Sequence, residues 1–132
     1  MYLLDSNIFL ELLLDQEQAD KVEEFLRRMP GEKLHISEFS VYSVGIVLFR
    51  RKQFETFIRF LEDLIVIGGV RLLRLSVQDL EDLAAVARRF GLDFDDGYQY
   101  LVAEKYGLEI ISFDSDFDRT EKGRKTPDSA GY

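Results

Sequence analysis

The sequence predicts an α/β fold, with a mostly parallel sheet covered on both faces by helices, and three observations carry that prediction. Short apolar runs suited to buried strands alternate with stretches whose apolar residues recur every three or four positions. No two-residue hairpin turn separates the strand candidates, so neighbouring strands must be joined by crossovers. At 132 residues, 46% hydrophobic and with two prolines, the chain is long and apolar enough to bury one core without staples. One compact domain spanning residues 1–132 is therefore expected.

Tyr2-Leu3-Leu4 is an apolar run ending in Asp5, a buried strand rather than a helix of its own. Ile8, Leu12 and Leu13 then fall at helical spacing, and Ala19, Val22, Phe25, Leu26 and Met29 form a second stripe closed by Pro30-Gly31. Leu34-His35-Ile36 is the second strand candidate, and Ser37 caps a helix through Val41, Val44 and Leu48. Phe54, Phe57, Ile58, Leu61, Leu64 and Ile65 predict one helix from Gln53 to about Ile67, stopped by Gly68-Gly69. Val70 to Leu75 reads as a third strand. Ser76 and Asp79 form a capping box for a helix from Val77 to Phe90, and another helix spans Phe94 to Tyr106 before Gly107. Glu109 to Phe113 is the fourth strand, and from about Arg119 the tail is expected to be loop-like or loosely held.

Composition removes several chemistries. With no cysteine, the chain has no disulfide, thiolate zinc site or cysteine nucleophile, and any metal must use mainly oxygen ligands. No apolar run reaches membrane-spanning length, so a soluble, cytoplasmic protein is expected. The net charge of −8 is unfavourable for phosphate attraction, and a nucleic-acid partner would need a local basic patch. Two groups offer one: Arg50-Arg51-Lys52, and the stretch holding Arg119, Lys122, Arg124 and Lys125.

The acidic residues are placed to do chemistry. In a parallel sheet ligands gather at the carboxyl ends of the strands. Asp5 ends the first strand, Asp114 follows the fourth, and Asp95-Asp96 opens the helix leading into it. If the first and fourth strands are neighbours, their ends lie about 5 Å apart, close enough for two carboxylates to share an ion. Crowded carboxylates repel one another unless a cation sits among them, and hard oxygen donors favour Mg²⁺ or Mn²⁺. Such an ion suits phosphodiester hydrolysis. Capping alone also places Asp at strand ends and helix starts, so each acid taken singly has a structural explanation.

Three segments in sequence order resemble the best-marked motifs of PIN domains: Leu4-Asp5-Ser6-Asn7-Ile8-Phe9-Leu10, Phe94-Asp95-Asp96-Gly97-Tyr98-Gln99-Tyr100-Leu101-Val102-Ala103, and Ile110-Ile111-Ser112-Phe113-Asp114-Ser115-Asp116-Phe117. The resemblance implies a three-layer α/β/α domain with strand order 3-2-1-4 and room for a fifth edge strand. It implies that Asp5, Asp96 and Asp114 bind the metal, with Asp116 as a further acid and Ser112 as a supporting hydroxyl. It also implies a metal-dependent endoribonuclease similar to the toxin ribonucleases of toxin-antitoxin pairs, of the virulence-associated protein C type. Such a protein would form a homodimer, cleave RNA and meet an antitoxin protein.

One departure stands out. The family's usual Glu in the helix after the second strand is replaced by Ser43, and Glu38 lies more than one turn earlier. Glu38 either substitutes as a displaced metal ligand or favours its helix N-terminus. The missing Glu and the acidic balance keep open a second reading, a PIN-like domain that binds RNA or protein without cleaving. Other site types fit less well: Asp114 to Lys125 lacks the Gly and Glu of a calcium loop. A haloacid-dehalogenase phosphatase would need Asp at Asn7, and a receiver domain an Asp at Leu75-Ser76. The single histidine, His35, sits among apolar neighbours and is expected to be structural.

Overall fold

The structure, a computed structural model, describes residues 1–130. In chain order it contains β1 (Tyr2–Leu4), α1 (Ser6–Leu13), α2 (Ala19–Arg28), β2 (Leu34–Ser37), α3 (Glu38–Arg50) and α4 (Phe54–Phe60). There follow β3 (Arg71–Leu73), α5 (Val77–Phe90), α6 (Phe94–Tyr106) and β4 (Glu109–Ile111). The four strands are all parallel in the order β3-β2-β1-β4. Leu4 pairs with Ile111, which sets the ends of β1 and β4 side by side.

Strand alternation divides the interior in two. Leu4 and Ile111 face a core built with Ile8, Phe9, Phe25, Val44 and Phe60, whereas Leu3 and Ile110 face one built with Leu83, Leu101, Val102 and Phe117. Both faces of β1 and β4 are thus buried, and this is why these strands read as unbroken apolar runs rather than as alternating ones. Truncating Leu4 or Ile111 to Ala would cost about 2–5 kcal/mol, a large share of the roughly 5–15 kcal/mol that holds a domain folded.

The helix ends follow their sequence signals. Ser37 is the last residue of β2 and also the cap of α3, its hydroxyl accepting from Ser40 N. Ser76 and Asp79 form the reciprocal capping box of α5. Gly91 and Gly107 end α5 and α6 at φ 66°, a left-handed conformation that glycine adopts without a Cβ clash. His35 is buried and its Nδ1 donates to Tyr2 O across the sheet, at 3.1 Å. Burial holds its imidazole below the ordinary range, in keeping with a neutral structural role.

Two expectations need amending. The single helix expected from Gln53 to Ile67 is α4 followed by a π-helical turn, Leu61–Ile67. The widened turn keeps Leu61, Leu64 and Ile65 on the core that Phe60 enters, while Val66 and Ile67 are exposed. The tail after Arg119 is irregular, as its sequence suggests, but it is fastened. Lys125 N donates to Ile110 O, Ser112 N donates to Lys125 O, and Lys125 bridges to Ile111 at the edge where a fifth strand would lie. Pro127 and Ala130 are buried, and Arg28 of α2 donates to both of their carbonyls, at 2.6 and 2.7 Å. Polar composition hid this, because backbone pairing and one long-range arginine do not depend on apolar periodicity.

Candidate metal centre

The carboxyl edge of β1 and β4 gathers the acids. Asp5 follows β1, donates its N–H to Ile111 O at 3.0 Å and caps α1 by accepting from Ser6 N at 2.8 Å. Asp114 lies just beyond β4 and caps the short 3₁₀ turn Ser115–Arg119, accepting from Asp116 N at 2.8 Å. Asp96 is in the first turn of α6, which packs closely on α5: a Cβ on Gly97 would lie 3.2 Å from Leu83 Cδ2. Asp96 is buried and Asp95 exposed, so the helix itself chooses between the two neighbours.

Carboxylate oxygens of Asp96, Asp114 and Asp116 all lie within 4.8 Å of one another. That is near the roughly 4.2 Å separating opposite oxygens around Mg²⁺, so small side-chain rotations would close the group on an ion. Burial, then the charges of Asp114 and Asp5, push the Asp96 carboxyl up to about 7. The donor set, three hard oxygens crowded enough to repel, is one that a divalent cation fits.

Asp5 is tied to this group through Ser112. Its Oδ1 accepts from Ser6 N and from Gln99 Nε2 at 3.0 Å, and its Oδ2 from Ser112 Oγ at 2.7 Å and Asn7 Nδ2 at 3.4 Å. Those four donors match the four lone-pair sites of a carboxylate. Burial raises its pKa, while the hydrogen bonds from Ser112, Gln99 and Ser6 oppose the rise. Ser112 is fully buried and links the acids: its hydroxyl donates to Asp5 and accepts from Asp114 N at 2.9 Å.

The residue pattern left part of this network unread. Asn7 donates to Ser112 Oγ and accepts from Phe113 N. Gln99 reaches Ser40 Oγ at 2.5 Å as well as Asp5, and Ser40 also bonds Ser6 and Ser37. The available signal was a glutamine set among buried positions of α6, three residues after Asp96, and a serine three after the α3 cap.

Glu38 is not one of the three acids whose oxygens gather within 4.8 Å; it accepts from Tyr42 Oη at 2.7 Å and pairs with Arg74 Nε at 3.8 Å. Of the basic candidates, Arg119 donates to the carbonyls of Phe90 and Gly91 and pairs with Asp116 at 3.5 Å. Arg124 holds Asp118 and the Ser112 carbonyl. Lys122 is exposed and makes no ion pair among the described residues. Arg50 closes α3, about 20 Å of helix from Glu38, and Arg51-Lys52 follow it.

An α/β domain with this strand order and an acidic cluster at the β1/β4 edge defines a recognisable class. The family model described as PIN domain matches residues 2–123. The chain belongs to the PIN-domain family. Among solved structures it is similar to the toxin VapC20 of Mycobacterium tuberculosis, described as cleaving the sarcin-ricin loop, at 16% identity and TM-score 0.81, covering 96% of this chain and 100% of that one. It is also similar to FitAcB from Neisseria gonorrhoeae, at 19% identity and TM-score 0.77, covering 96% and 98%. A toxin-antitoxin complex from Klebsiella pneumoniae gives 20% identity and TM-score 0.74, covering 96% and 98%. No curated protein matches the chain.

Proposed function

We propose that the protein is a divalent-metal-dependent endoribonuclease, the toxin of a toxin-antitoxin pair, acting in the cytoplasm. The observation that carries this reading is the group formed by Asp96, Asp114 and Asp116 with Asp5 tied to it through Ser112. Asp96, Asp114 and Asp116 would hold Mg²⁺ or Mn²⁺. When bound, such an ion lowers the pKa of its water and stabilises charge on a phosphodiester under attack. Asp5 joins through Oδ2, whose hydrogen bond from Asn7 at 3.4 Å is the weakest of its four. Ser112 keeps Asp5 and the Asp114 backbone in register, and Gln99 fixes the other Asp5 oxygen. Exposed Lys122 would supply positive charge for the RNA backbone, whereas Arg119 and Arg124 act first by fastening the loop that carries Asp116.

The similar solved structures include toxin-antitoxin complexes, which supports an antitoxin partner. Exposed Tyr42, Ile46, Phe49, Phe54 and Ile58 on α3 and α4 support a homodimer through that face. No helix among the described residues is long and apolar enough to cross a membrane. A second reading, a domain that binds RNA without cleaving it, draws on Ser43 in place of the usual Glu and on Glu38 being engaged elsewhere. Cleavage of a mixed RNA pool in Mg²⁺ or Mn²⁺, with Asp5→Asn purified in parallel, decides between them. Cleavage by the wild type alone is expected. Equal cleavage by both proteins, or by neither, removes the enzyme reading.

A further inference from the structure

Outside the network just described, the first turns of α3 and α6 enclose a groove of about 370 Å³ that also touches the end of β3. That volume is within the range of small-ligand sites, about 300–1,000 Å³. Phe39, Phe94 and Tyr98 line it, their ring centroids 5.6–6.4 Å apart. Tyr98 is buried, whereas Phe94 is 56% exposed and so leaves ring surface free to stack. At the rim, Glu38 and Arg74 bring a carboxylate and a guanidinium to the same opening.

We propose that this groove is a nucleobase subsite, stacking one unpaired base of the RNA next to the phosphodiester held at the acids; it rests on the nuclease reading given above. Position is the first support. Phe94 and Asp96 belong to the same turn of α6, and Glu38 follows Ser37, whose hydroxyl bonds Ser40 in the network behind Asp5. Side chains two apart on a helix point to different sides, so one nucleotide can have its phosphate at Asp96 while the next reaches round the helix start to Phe94. Chemistry is the second. Aromatic faces take any base by stacking, a source of affinity independent of charge, which a chain of net charge −8 needs.

Glu38 adds selection. One of its oxygens accepts from Tyr42, while the other makes a 3.8 Å ion pair with Arg74, too long for a hydrogen bond, and keeps lone pairs for an exocyclic amino group. Carboxylates accept from the cytosine amino group in this way. The subsite accordingly favours amino-bearing bases over uracil, and Arg74, its side chain 80% exposed, meets the adjoining phosphate. The neighbouring groove of Val41, Gly45, Ile46, Phe49 and Phe57 has no such polar pair, and that contrast separates a base site from an apolar protein-docking surface.

The test uses the full chain and fluorescent five-nucleotide single strands that differ at one base, with affinity read by anisotropy in chelator and cleavage read in Mn²⁺. Phe94→Leu keeps the groove apolar but removes the ring. Expected results are an affinity loss of about tenfold for Phe94→Leu, retention in Phe94→Trp, and loss of the amino-base preference in Glu38→Gln with uridine binding unchanged. Val66→Ser, an exposed position in the π-helical segment ahead of β3 and outside the groove lining, controls for nonspecific effects. If Phe94→Leu binds and cleaves like the wild type, or if the wild type binds no strand in either arm, the subsite is overturned. A wild type that binds through Phe94 but never cleaves overturns the nuclease reading and leaves the subsite standing.

Discussion

Asp95 and Asp96 are adjacent and chemically identical, yet one is exposed and the other buried against two further carboxylates. Replacement by Asn preserves volume and removes the charge, so the pair separates ligand from bystander. Asp96→Asn and Asp114→Asn are expected to lower RNA cleavage by more than about 100-fold, since even outer residues of a metal site cost roughly 10–100-fold. Asp95→Asn should change the rate less than about twofold on the same scale. Ser112→Ala belongs with the outer residues: it deprives Asp5 Oδ2 of its shortest donor and Asp114 N of its acceptor, and a loss of about 10–100-fold is expected. Single-turnover cleavage with folding checked by circular dichroism measures all four.

At the level of elements, α5 and α6 are tied by a cap as well as by their shared core. Asp79 closes the capping box with Ser76 and accepts from Lys105 of α6 at 2.7 Å. Ser76→Ala is expected to cost about 0.5–2 kcal/mol, measured by denaturant unfolding. The hydrogen bond from Lys105, followed by those from Ser76, holds the Asp79 carboxyl down at about 2, against 3.8 unperturbed. A depressed folded pKa means that the folded state binds fewer protons. The stabilisation is complete above about pH 4 and disappears as pH falls through about 2. Melting temperatures taken across that window should fall more steeply for the wild type than for Asp79→Asn; parallel curves would remove Asp79 from the acid response.

Over the whole molecule, two surfaces have consequences for assembly and stability. A ligand that binds only the folded state raises its stability by RT ln(1 + [L]/Kd), which at 100 times Kd is about 2.7 kcal/mol. Melting in millimolar Mg²⁺ or Mn²⁺ is therefore expected to exceed melting in chelator, and Asp96→Asn should abolish the difference. Absence of any shift in both ions would count against the metal centre. The exposed apolar residues of α3 and α4 predict a dimer in sedimentation at micromolar concentration, with Phe49→Asp driving it to monomer because a charge would be buried in the contact. A wild-type monomer would remove the dimer while leaving the acidic site untouched.

The sequence by itself determined the succession of strands and helices along the chain and most helix ends, because each rests on local physics. Apolar period distinguishes Leu3-Leu4 from the stripe of α5, a capping box marks Ser76, and only glycine accepts φ 66° cheaply at Gly91 and Gly107. The family motifs supplied the adjacency of β1 and β4, which no local signal carries. Tertiary structure alone decided how the polar atoms are shared. Glu38 turns to Tyr42 and Arg74, Arg124 turns to the Ser112 carbonyl, and Arg28 fastens a tail nearly a hundred residues further along the chain. It also gave Asp5 its hydrogen-bond donors Gln99 and Ser112, which are 94 and 107 residues away from it. Such partnerships depend on distances between side chains that are remote in sequence, and periodicity and propensity contain no information about them.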